Sequence, residues 1–216
     1  MDPTLDKVLF LFLGWLLGML SPVIVSAITR ERENALGRAA ILTELNELAG
    51  TLAIVVYGVR SSLGTVDRPF LEWLCAFLDT HPIPAMLQGF KSSVRVYLSW
   101  SDEEIARGAK YMASWPGTSA MLQRYPVPLL DARVSALWTF DSDFQRRLLE
   151  IRRNIALLDD IVDRSRKYFD LTFTKLEGDN QELVKGNLNQ CYELYATRAK
   201  MVVEQIAELR NAASEV

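Results

Sequence analysis

Hydrophobic and polar positions divide the chain at about residue 29. Residues 8–28 read VLFLFLGWLLGMLSPVIVSAI, 21 positions without a charge. At about 1.5 Å per residue they make a helix of roughly 31 Å, the thickness of a hydrocarbon core. Asp6 and Lys7 close one end; Arg30, Glu31, Arg32 and Glu33 close the other. The pattern predicts a transmembrane helix with span ends at Val8 and Ile28. A cleaved signal peptide fits less well. Val25-Ser26-Ala27 resembles a cleavage site, but Asp2 and Asp6 stand where a basic n-region belongs, and the apolar run exceeds the roughly 7–15 residues of an h-region. A soluble core helix would carry a polar stripe, which this stretch lacks.

Beyond the span the apolar positions follow a helical period. Leu42, Leu45, Ala49, Leu52, Val56, Val59 and Leu63 alternate spacings of three and four, the coiled-coil pattern of a packed seam, on a helix expected over residues 31–62 and continuous with the span. Its uncharged run at residues 48–59 is too short to cross a bilayer and reads as a buried core segment, with a re-entrant segment as the alternative. Gly64 ends this helix. Asp67 caps the next, over residues 68–79, with Pro69 in its first turn. His81-Pro82-Ile83-Pro84 reads as a rigid turn with His81 at the surface. Val94, Val96, Leu98 and Trp100 alternate with polar or amphipathic neighbours, as in a strand, yet a lone strand cannot satisfy its backbone, so residues 85–100 are read as helix. Ser101-Asp102-Glu103-Glu104 is a capping box opening a helix over residues 102–114. Trp115-Pro116-Gly117 stops it, a short helix is expected over 119–124, and Tyr125-Pro126-Val127-Pro128 is an extended break.

The last third is the most regular. Residues 129–140 look helical, and Asp141 or Ser142 can cap a helix over 142–171. Its seam is Phe144, Leu148, Ile151, Ile155, Leu158, Val162, Ser165 and Phe169. After a turn at Glu177-Gly178-Asp179-Asn180, a helix over 181–212 carries Val184, Leu188, Tyr192, Tyr195, Ala199, Val202, Ile206 and Leu209. Two long amphipathic helices joined by a short connection form an antiparallel hairpin. The predicted fold is all-α: a short N-terminus (1–7), one transmembrane helix (8–28), and a helical bundle (29–216) ending in that hairpin.

Lysine and arginine counts set the expected orientation. Lys7 alone precedes the span, whereas Arg30, Arg32 and Arg38 follow it, which places the N-terminus outside and the bundle in the cytoplasm of a cell with this protein in its inner membrane. Within the span, Gly14 and Gly18 form a G-x-x-x-G pair with Ser26 near the same face. Such spacing lets two helices approach closely in lipid, so this face offers a homodimer contact, the alternative being the ordinary glycine content of membrane helices. Pro22 removes a backbone donor and predicts a kink at Ser21-Pro22.

Composition narrows the chemistry. The 216 residues are half hydrophobic and carry a net charge of −3, which argues against nucleic acid as a partner. Cys75 and Cys191 are too few for a disulfide framework and are expected to be free thiols in a reducing compartment. His81 is the single histidine, so no multi-imidazole metal site can form, and a catalytic triad would have to use it from a proline-rich turn. No phosphate-binding glycine loop, nucleophile elbow, H-E-x-x-H or C-x-x-C is present. The carboxylate groups have structural explanations. Asp102, Glu103 and Glu104 open a helix, and Asp159, Asp160 and Asp163 precede Arg164, Arg166 and Lys167 at ion-pair spacing, as in Asp160–Arg164 and Asp163–Lys167. Glu44 and Glu47 share a face. Arg146, Arg147, Arg152 and Arg153 make a basic patch that would face anionic lipid or, more simply, water and nearby acids.

These readings imply no cofactor, no metal and no catalytic residue. They favour an anchored helical interaction or scaffold module whose partners are the bilayer, a second copy through the span, and a protein yet to be identified. A bundle that senses a small ligand is the alternative, and an enzyme of unfamiliar type is third.

Overall fold

The computed structural model describes residues 3–81, 88–115, 121–174 and 180–214; in its first helix, side chains are described at residue 10, at 12–19 and from 24 onward. The described residues are 89% helical, with no strand among them. The all-α expectation holds, and residues 88–98, whose alternation resembled a strand, are helical.

Helix α1 (Pro3–Leu63) is unbroken over 61 residues, about 90 Å at helical rise. It runs through Ser21 and Pro22 without interruption. Its two halves have different surroundings. Among the described side chains, residues up to Glu33 are exposed; burial begins at Gly37 and becomes continuous with Ile41, Leu45, Leu48, Ala49, Leu52, Ala53, Val56 and Val59. Gly37 is where another segment first lies on the helix: a Cβ there would sit 3.0 Å from Nη1 of Arg133. The C-terminus closes in a Schellman motif. Gly64 adopts φ 69°, its N–H donates to Ser61 O, and Thr65 N–H donates to Arg60 O.

Helices α6 (Ser142–Thr172) and α7 (Asn180–Ser214) form the expected hairpin, and α7 packs along α1. Cross-links fix the antiparallel register: Arg147 faces Glu208, Gln205 donates to Glu150, and Asn154 both donates to Gln205 and accepts from Arg198. Asn154 is thus a buried amide with its polar atoms satisfied, as burial requires. Most of both predicted seams is buried; Phe169 and Leu188, at the open end of the hairpin, are half-buried.

The middle of the chain covers the upper part of this bundle. Helix α2 (Arg68–Thr80) has Asp67 as its N-cap, accepting from Phe70 N–H, with Pro69 in the first turn as expected. Helix α3 (Gln88–Leu98) packs on α2, and α4 (Asp102–Ala113) opens with the capping box of Ser101 and Glu104. Arg68 joins them, donating to the carbonyls of Leu98 and Trp100 and pairing with Asp102.

Two expected elements differ. Residues 121–124 are not helical; Leu122 instead buries itself singly in the core, and Arg124 reaches Asp163. Residues 129–140 are not one helix but a short α5 (Pro128–Arg133) followed by a 3₁₀ segment (Val134–Thr139). The expected features at Pro82–Pro84, Pro116–Gly117 and 177–179 lie outside the described residues.

Candidate membrane interface and distal groove

Among the described residues one helix, α1, is long and apolar enough to cross a membrane, and none of its described side chains up to Ile28 is buried within the molecule. Phe10 is 74% and Trp15 60% exposed, as are Ile24, Val25 and Ile28 to similar degrees. A core helix of this chain would bury such residues. The described part of this apolar stretch therefore lies outside the bundle, while the same helix continues as one of the bundle's core helices. Of the two predicted span ends, Ile28 is exposed at the last apolar turn, whereas Val8 lies in α1 with its side chain outside the described residues.

Gly14 and Gly18 face open space, with nothing within 4 Å of a Cβ at either position. That leaves the close-approach face accessible. Ser26 lies further along the exposed stretch and lines a cleft at the base of the bundle. The three arginines taken to set topology differ. Arg30 and Arg32 are exposed, and no ion pair to either occurs among the described residues. Arg38 is half-buried: it pairs with Asp141 at 3.7 Å and lies 4.3 Å above the Phe144 ring. It fastens the start of α6 to α1, a role invisible to a charge count.

The cleft has a volume of ≈ 660 Å³. One wall is α1 from Ser26 to Arg38; the other is the corner at residues 139–141, between the 3₁₀ segment and α6. Trp138, just before that corner, is 67% exposed.

A second concavity, of ≈ 440 Å³, lies at the other end of the bundle between α3, α4 and Tyr57. Val96, Tyr97, Trp100, Tyr111 and Met112 line it, and Tyr111 is 65% exposed. Tyr97 packs edge-on against Trp100 at 5.0 Å and donates its hydroxyl to Ile105 O. Gly108 makes room for this pair, since a Cβ there would lie 2.8 Å from the Tyr97 oxygen. The groove is aromatic and lacks a charged lining residue. It lies about 44 Å beyond Ile28 along the axis of α1.

The remaining candidate chemistry is structural. Glu44 accepts from the backbone N–H groups of Leu129 and Leu130 at 2.8 and 2.9 Å, capping α5 from a distant helix. Asp163 pairs with Arg124, not Lys167, and no Asp160–Arg164 pair forms among the described residues. The arginine patch is largely balanced: Arg146 and Arg147 hold Asp143, and Arg152 holds Asp131. Asp159 is the carboxylate whose pKa burial pushes up, but the crevice it shares with Tyr125 and Tyr195 measures only ≈ 10 Å³, room for at most about one water. No group of three metal-ligating side chains occurs among the described residues. Cys75 and Cys191 are free, and burial raises both thiols, which disfavours the reactive thiolate.

His81 departs from the surface residue expected. Its ring stacks on Phe77 at 4.7 Å and lies over Gly50, where a Cβ would come within 2.9 Å of Nε2. Its Nδ1 is buried without a hydrogen-bond partner. Burial, and secondarily the charge of Arg210, lower its pKa. Sequence spacing could not reveal this site, because Gly50, Phe77 and Arg210 come from three different helices.

Comparison with protein families, curated proteins and solved structures finds no match to this chain.

Proposed function

We propose that the protein is a single-pass membrane protein whose cytoplasmic bundle is an interaction or scaffold module without catalytic chemistry. The observation that carries this reading is the double use of α1. Its exposed apolar half is suited to lipid, and its other half is core to the bundle, with no linker between them. A domain mounted this way is held at a set height above the bilayer instead of trailing on a tether. The aromatic groove at the far end is the surface it would offer to a protein partner, since aromatic side chains dominate binding energy at interfaces. Self-association through Gly14, Gly18 and Ser26 would pair two such bundles.

Glu44, Asp102, Glu104 and Asp163 are engaged in caps and ion pairs, which supports the non-catalytic reading over an enzyme. The groove also gives the small-ligand receptor its best support, because ≈ 440 Å³ lined by aromatics is the size and character of a ligand pocket.

Deleting residues 1–29 tests the anchor. The shortened protein should leave the membrane fraction for the soluble fraction on cell lysis. Continued association after carbonate washing would show that the N-terminal span is not the sole anchor.

A further inference from the structure

The cleft beside the end of the span combines features that the anchor reading does not require. It begins at Ser26 and Ala27, within the apolar stretch, and extends through Arg30 and Glu31 to the Arg38–Asp141 pair. A lipid standing beside α1 would lay its acyl chains along the residues before Ile28. Its headgroup, in a layer some 5–8 Å deep, would then fall at the next turn or two, which is Arg30 and Glu31. Arg38 and Asp141 largely neutralise each other. Arg30 and Glu31 remain: two exposed, opposite charges lining one cleft, with no ion-pair partner among the described residues.

We propose that this cleft seats the headgroup of a zwitterionic phospholipid, with the phosphate on Arg30 and the ammonium on Glu31. The inference rests on the membrane-anchor reading. The arginine guanidinium suits a phosphate oxygen pair, and the glutamate accepts from the headgroup amine. An anionic lipid would pair its phosphate with Arg30 but offer Glu31 no cationic partner.

The test uses the full chain in detergent, with phosphatidylethanolamine or phosphatidylglycerol added and the retained lipid read by native mass spectrometry. Phosphatidylethanolamine should be retained in preference. Arg30→Gln and Glu31→Gln should each weaken retention about tenfold, the scale of one charge-assisted hydrogen bond. Arg32→Gln, an exposed neighbour outside the cleft lining, should leave it unchanged. Equal retention of both lipids, preference for phosphatidylglycerol, or an equal loss in Arg32→Gln would overturn the proposal. Quenching of Trp15 fluorescence by lipids brominated on the acyl chains, taken as the difference from Trp15→Phe, reports the span separately. Quenching with no selective retention rejects the headgroup site and leaves the anchor standing; no quenching rejects both.

Discussion

Glu44 caps a helix whose first bonded N–H, that of Leu129, lies 85 residues later in the chain. The N-cap of α5, Val127, supplies no side-chain acceptor, and the N–H groups of Leu129 and Leu130 would lose their partners without that carboxylate. Glu44→Ala should destabilise the protein by about 1–2 kcal/mol in urea unfolding, while Glu44→Gln, which keeps one acceptor, should cost less. His81 sets a second expectation. Its folded pKa lies below the ordinary value of about 6.5. Above that value the ring is neutral in both states and adds no pH dependence. As pH falls through it, the unfolded chain takes up the proton first, so stability drops until the folded pKa is also passed. His81→Gln should flatten the stability–pH curve below about pH 6.5; an unchanged slope would mean another group causes it. The caps at Asp67, Ser101 and Asp141 were legible because cap and helix are adjacent in sequence. Glu44 and His81 were not, because their partners are brought in by tertiary packing.

Among the elements, the hairpin of α6 and α7 was the most legible, since a seam repeated over eight positions constrains the buried face strongly. Leu158 and Ile206 lie in those seams at 4% and 1% exposure. Truncating either to alanine should cost about 2–5 kcal/mol. Leu149 and Leu194, exposed on the same two helices, provide the control, and their alanine variants should stay within about 0.5 kcal/mol of the parent. Chemical denaturation of all four decides whether the seam has been assigned to the right face. Periodicity failed where the elements are short. Residues 121–124 place one leucine in the core from a stretch without regular secondary structure, and the segment at 134–139 tightens to 3₁₀ geometry as the chain turns into α6. Neither leaves a repeat long enough to read. The basic patch was legible as charge but not as pairing, because Asp131 reaches Arg152 only after α5 folds back on α6.

For the whole molecule, the proposed orientation in the membrane turns on the flanking cations, Lys7 before the apolar stretch and Arg30, Arg32 and Arg38 after it. Arg38 belongs to the fold, through Asp141 and Phe144, so replacing it would perturb packing together with charge. Arg30 and Arg32 are exposed and can be altered without that ambiguity. A short acidic N-terminal flank is readily translocated, and the basic flank is retained, so the bundle should be cytoplasmic with Cys75 and Cys191 reduced. Reporters fused after Val216, one active only in the cytoplasm and one only outside, read the orientation directly. The cytoplasmic reporter should be the active one. Activity of the outside reporter would reverse the topology, and an extracytoplasmic sensor would then be the better account of the aromatic groove. Replacing Arg30 and Arg32 together with glutamine balances the flanks more nearly, Lys7 against Arg38, and should invert a measurable fraction of molecules if charge sets the topology. If the double variant keeps its orientation completely, retention of the bundle itself is what holds it, since a domain of this size that folds before insertion cannot follow the span across.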